Sequence, residues 1–222
     1  MAVDLGGHGD SERSNEYSLS AWARELVAAA TADAPGPVTV VGHSMGGWVS
    51  VTAALEYPED IASVVLIDSP TSQRAPGRTR LRGRSRPARG YASREEITAR
   101  FTTVPHQDVV LGYVADHVAA ESVREIDGRW KWKFDPVIFD SRHLAPIASE
   151  GTTLDAMLAR ISCPAVFLRC ERGIVGEQMA ADVQAALDQR GVYIELAEAG
   201  HHPMLDHPLA LVAALRTILQ YS

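Results

Sequence analysis

One serine stands where nucleophilic chemistry is easiest to build. Gly42-His43-Ser44-Met45-Gly46-Gly47 has the spacing G-x-S-x-G, with an apolar β-branched run, Val38-Thr39-Val40-Val41, before it and a small-residue run after it. A serine hydroxyl attacks a carbonyl only when a base accepts its proton, and a sharp strand-to-helix turn holds such a hydroxyl clear of the sheet. Gly42 and Gly46 suit that turn, because side chains there are expected to collide with neighbouring backbone. A helix starting at Met45 places its free N–H groups and positive dipole end beside Ser44.

The base comes from Glu198-Ala199-Gly200-His201-His202-Pro203, a loop between a final strand and a final helix. Open α/β sheets keep their sites at the C-terminal ends of the strands, where such a histidine reaches the serine. His201, directly after the Gly turn, is the expected base, and His202 is its competitor. His201, His202, Asp206 and His207 also have the look of a metal cluster, but nothing else in the sequence completes one, so no metal is expected. Gly6-Gly7-His8-Gly9 is Gly-rich yet lacks the G-x-G-x-x-G spacing of a nucleotide loop.

The positioning elements follow from periodicity. Val38–Val41, Val64–Ile67 and Ala165–Leu168 are nearly continuous apolar runs, as strands covered on both faces are, and Val192–Leu196 is a fourth. Leu19, Trp22, Leu26, Val27 and Ala30 mark one face of a helix. Met45–Glu56, Gly176–Leu187 and Pro208–Leu219 fit further helices. Strand–helix alternation predicts an α/β fold, a mostly parallel sheet with flanking helices. Residues 71–149 break the alternation with no second set of strands evident. They include seven arginines and no acid within Arg74–Arg89, read as a solvated loop. Trp130, Trp132 and Phe134 lie on one side of an alternating segment, read as packing this insert onto the core.

Composition bounds the function. The 222 residues are 46% hydrophobic and 22% charged, and 28 acids against 21 bases give a net charge of −7. That charge argues against nucleic acid as a partner. No run approaches the roughly 18 apolar residues of a membrane span. The start, Met1-Ala2-Val3-Asp4, reads as no signal peptide, so a cytoplasmic setting is expected. Cys163 and Cys170 flank an extended run and stand about 20 Å apart at ~3.3 Å per residue, too far for a disulfide, so they are separate thiols.

With these segments in order the chain resembles the α/β-hydrolase superfamily, in its capped esterase and lipase-like branch. The resemblance rests on Asp4, Gly7, His8, Gly9 and Ser11 in D-x-x-G-H-G-x-S, on Gly42–Gly47, on Val65-Leu66-Ile67-Asp68, and on Ala199-Gly200-His201. It implies Ser44 as nucleophile, His201 as general base, the Met45 N–H as an oxyanion donor, and no cofactor. It also implies a core of residues 1–70 and 150–222 under a cap of residues 71–149. His8 and His43 lie within matched motifs and are expected to support local turns. The triad acid departs from the family pattern: Cys170-Glu171-Arg172-Gly173-Ile174 has no Asp at the usual place. Asp68, after the preceding strand, is the chosen acid and Glu171 the alternative. The family carries about three strands ahead of D-x-x-G-H-G-x-S; the chain therefore reads as N-terminally truncated, with Val38–Val41 as an open edge and Asp4 loosely anchored.

The function implied is hydrolysis of small carboxylic esters through an acyl-Ser44 intermediate. Carbon–carbon bond, amide or thioester hydrolysis and perhydrolysis use the same triad, and an inactive fragment of the fold is the rival of a different class. Oligomeric state is not legible.

Overall fold

The computed structural model describes residues 1–14, 17–33, 36–71, 90–139 and 152–220. Helix α1 (Leu19–Asp33) buries Leu19, Trp22, Val27 and Ala30 and half-buries Leu26, the face expected from the periodicity, with Ala23 buried beside them. The Ser18 hydroxyl accepts the Ala21 N–H at 3.1 Å and caps its first turn. Strand β1 (Val38–His43) leads into α2 (Met45–Glu56), and β2 (Ile61–Ile67) follows. After the insert come α5 (Leu154–Leu158), β5 (Ala165–Arg172), α6 (Glu177–Leu187), β6 (Gly191–Gly200), α7 (Pro203–Asp206) and α8 (Pro208–Gln220).

The four strands form one parallel sheet in the order β1-β2-β5-β6. Side chains alternate across it. Val64, Leu66 and Phe167 join Trp22 of α1, Val49 of α2, Leu154 of α5 and Val183 of α6 in the larger core. Ile67, Leu168 and Leu196 face the other way and meet Leu211 and Leu215 of α8. Both faces of β2 and β5 are therefore covered, which is why those strands read as unbroken apolar runs. Among the described residues β1 pairs with β2 alone, so it is an edge, and Val41 is 40% exposed.

The N-terminal segment differs from expectation. Asp4 accepts the Asp10 N–H at 2.9 Å, the Trp22 indole donates to the Gly6 carbonyl at 3.0 Å, and the Asp135 N–H donates to the Gly7 carbonyl at 2.6 Å. These bonds anchor the D-x-x-G-H-G-x-S segment to α1 and to the insert. His8 does hold a local turn, through Nδ1 to the Gly6 carbonyl at 3.2 Å.

The insert also contains strands that the sequence reading missed. Short α3 (Arg94–Thr98) and α4 (Gly112–Glu121) precede an antiparallel hairpin, β3 (Val123–Ile126) and β4 (Arg129–Trp132). Its two-residue turn is Asp127-Gly128, with φ of 53° and 69°. Positive φ at both positions is what a hairpin turn matched to strand twist demands, and Asp-Gly is its strongest local signal. The aromatic segment splits in role. Phe134 packs on the main core, while Trp132 meets Phe101 and Trp130 lies under the Arg94 guanidinium. The Arg74–Arg89 run lies outside the described residues. The insert leaves and returns at one place, since the Leu154 N–H donates to the Thr71 carbonyl at 2.9 Å. No helix among the described residues is long and apolar enough to cross a membrane.

Phe167 sits at the centre of the sheet with no exposed surface and stacks on Tyr193. Truncating such a side chain leaves a cavity the sheet cannot close, so Phe167→Ala is expected to lose about 3–5 kcal/mol, read as a lowered midpoint in urea unfolding.

Candidate functional site

The turn after β1 is strained in the way the sequence pattern requires. Ser44 has φ 53° and ψ −114°, a region that costs a non-glycine residue about 1–3 kcal/mol. Its N–H donates to the Ile67 carbonyl at 2.9 Å, fixing the turn to the end of β2. A Cβ on Gly42 would lie 2.2 Å from the Gly46 carbonyl oxygen, and one on Gly47 would lie 2.0 Å from the Ser69 hydroxyl. Gly46 itself departs from expectation, because a Cβ there meets nothing within 4 Å. The crowding falls on Gly42 and Gly47. Met45 is the first residue of α2, so its N–H belongs to the first turn, which has no partner within the helix.

Asp68 follows β2 in a left-handed conformation, φ 43°, with no exposed surface. Its carboxylate accepts the Cys170 N–H at 3.2 Å and the Ile174 N–H at 2.9 Å. A Cβ on Gly173 would lie 2.2 Å from that carboxylate, so glycine there makes room for it. The third contact is with His201, 4% exposed, whose Nδ1 is 2.7 Å from Asp68 Oδ2. An ionised carboxylate only accepts, so the proton sits on Nδ1 and the lone pair on Nε2. That Nε2 is 3.1 Å from Ser44 Oγ. The structure thus brings Ser44, His201 and Asp68 into one hydrogen-bonded line.

Glu171 is elsewhere: its exposed carboxylate accepts the Glu198 N–H at 2.6 Å. His202 makes no bond to Ser44. Its backbone N–H donates to Gln107 Oε1 at 2.8 Å, and its ring Nε2 is buried without a hydrogen-bond partner. Asp206 accepts the Gly200 N–H at 2.7 Å and so braces the loop. His43 does not support a local turn as expected. Its Nε2 donates across the site to the His201 carbonyl at 2.6 Å. Burial, reinforced by the nearby His201, pushes His43 down to about 3, and burial likewise pushes His202 down to about 4. Both rings are therefore neutral at pH 7. Among the described residues, His43, His201 and His202 form the one cluster that offers three possible metal ligands, a different set from the one the sequence suggested.

Gln107 escaped the sequence reading. It lies in the insert, 95 residues from the histidine loop it holds, and belongs to no motif. Its Nε2 donates to the Val109 carbonyl at 3.0 Å, and its amide fills the space a Cβ on Gly200 would need. Leu111 adds a second tie, its N–H donating to the Leu205 carbonyl at 2.7 Å.

Two outcomes follow. Gln107→Ala is expected to lower kcat roughly tenfold with little change in KM, the worth of about one hydrogen bond, in steady-state kinetics on an activated ester. Because His43 and His202 refuse protons that the unfolded chain takes up near pH 6.5, stability falls as pH drops from about 6.5 toward 4. Denaturation midpoints across that window should fall less steeply for His43→Gln.

Residues 1–215 match the Alpha/beta hydrolase family. Over 230 aligned residues the chain is 28% identical to Esterase Rv0045c of Mycobacterium tuberculosis, covering 99% of this chain and 74% of that protein. A structure of that esterase, from work on its transition metal inhibition, superposes with a TM-score of 0.73 at 23% identity, over 99% of this chain and 76% of that one. The fold also matches E-2-(acetamidomethylene)succinate hydrolase with a TM-score of 0.82 at 21% identity, over 99% of this chain and 80% of the other. With the family match running over nearly its whole length, the chain belongs to the alpha/beta hydrolase family.

Proposed function

We propose that the protein hydrolyses small, largely apolar carboxylic esters. The observation that carries this reading is the bonded line from Asp68 through His201 to Ser44, 2.7 Å and 3.1 Å long. His201 Nε2 takes the Ser44 proton as the hydroxyl oxygen bonds to the ester carbonyl carbon. The carbonyl π pair moves onto oxygen, where the Met45 N–H stabilises it. The intermediate then collapses, the carbon–oxygen bond to the alcohol breaks, and the proton on Nε2 leaves with the alcohol. Water repeats the sequence on acyl-Ser44, His201 again taking the proton, and the carboxylic acid departs. Asp68 keeps the Nδ1 proton in place and stabilises the imidazolium.

Residues 71–149 act in this proposal as a cap that sets the acyl and alcohol pockets, supported by the ties of Gln107 and Leu111 to the histidine loop. The esterase relative favours ester chemistry. A hydrolase of 2-(acetamidomethylene)succinate is also 41% identical over 69 residues, so amide substrates are the second reading. The bonded line argues against the inactive-fragment reading.

Intact-mass analysis after a fluorophosphonate probe is expected to show one adduct, absent in Ser44→Ala. Asp68→Asn forces the wrong tautomer on His201 and should lower kcat by about 10,000-fold, with Glu171→Gln within twofold of the parent chain. An adduct that persists in Ser44→Ala overturns the assignment.

A further inference from the structure

We propose that His43 is a positioning residue: by holding the His201 carbonyl, it sets the reach of the base to the serine that follows it in the chain. This rests on the reading of Ser44 as nucleophile and His201 as general base. A closed circuit of bonds carries the inference. The Ser44 N–H donates to the Ile67 carbonyl at 2.9 Å, and Ile67 is joined to Asp68. Asp68 Oδ2 accepts the His201 Nδ1 proton at 2.7 Å. The His201 carbonyl accepts from His43 Nε2 at 2.6 Å, and His43 is joined to Ser44. The 3.1 Å line from His201 Nε2 to Ser44 Oγ spans this circuit. Of the side chains in it, only His43 stands outside the line from Asp68 to Ser44.

The bond to Asp68 fixes one atom of the His201 ring, and the remaining freedom lies in the loop that carries it. The His201 carbonyl and the His202 N–H belong to one planar trans peptide and point in opposite directions. His43 holds the first, and Gln107 Oε1 holds the second at 2.8 Å. Gln107 refers that plane to the insert. His43 refers it to β1, whose end is the turn at Ser44. Only the second reference ties the base directly to the nucleophile.

The residue type fits this task. A carbonyl only accepts, so the His43 proton sits on Nε2. A lysine or arginine could donate as well, but its fixed charge would disfavour the imidazolium that forms on His201 when it takes the Ser44 proton. Burial keeps the His43 ring neutral at pH 7, so it donates without that charge. The His43 and His201 rings also lie against each other, with centroids 4.7 Å apart.

A donor that only satisfied a buried carbonyl would act on stability alone, and kinetics separate the two roles. His43→Leu keeps the bulk and removes the donor, whereas His43→Gln returns an N–H at the reach of Nε2. With sites counted by the fluorophosphonate adduct, His43→Leu is expected to lower kcat per site on an activated ester about 10–100-fold, the cost of a misplacement of about 1 Å. KM should change little, and His43→Gln should recover most of the loss. His43→Met serves if the Leu variant does not fold. A second readout needs no turnover: the downfield proton resonance of His201 Nδ1 should be broadened or lost in His43→Leu and restored in His43→Gln. A kcat per site within twofold of the parent in His43→Leu overturns the proposal, as does a Gln variant no better than the Leu one. A chain that cleaves no ester, yet shows the resonance lost in the Leu variant alone, would instead overturn the proposed function and leave the positioning role standing.

Discussion

A carboxylate with no exposed surface has to be repaid with hydrogen bonds, and Asp68 sets that requirement for the whole C-terminal end of the sheet. Its three donors come from three different places: the Cys170 N–H on β5, the Ile174 N–H in the turn beyond it, and the His201 ring after β6. Only the order β1-β2-β5-β6 brings these together around the end of β2. The same strand end receives Ser44, through its N–H to the Ile67 carbonyl. Ser44 and Asp68, the proposed nucleophile and acid, are thus registered to one strand. Losing the acid's partners would leave a buried, unpaired charge, which costs more than the pair contributes when intact.

His201, the proposed base, is the least independently placed of the three. His201 sits on a loop, and loops are precise only when other elements hold them. Here His43 holds its carbonyl, Asp206 holds the N–H of Gly200, and Gln107 holds the N–H of His202. One brace comes from the nucleophile's own strand, one from α7 and one from the insert. The insert is therefore coupled to the position of His201 as well as lying beside it. Packing two neutral histidines against His201 keeps the site free of extra positive charge, and it also assembles the three-nitrogen cluster.

Much of this was legible in the chain. The strand runs, the helix faces and the strand–turn–helix context of Ser44 are local patterns of period 2 and 3.6, and they appeared where the periodicity put them, with strand ends a few residues longer. The hairpin was missed although Asp127-Gly128 marks its turn, because its strands are short and mixed in character. Gly46 was misjudged, since the collision depends on where the α2 backbone passes and it passes over Gly42.

The sequence alone determined the α/β alternation, the elbow serine and the histidine that follows the last strand, because each is written in residues adjacent along the chain. The tertiary structure alone set Asp68 and not Glu171 against His201, gave His43 and Gln107 their partners, and joined three histidines into one cluster. Those facts depend on contacts between residues 95 to 158 positions apart, and spacing along a chain carries no information about which distant groups the sheet order sets side by side.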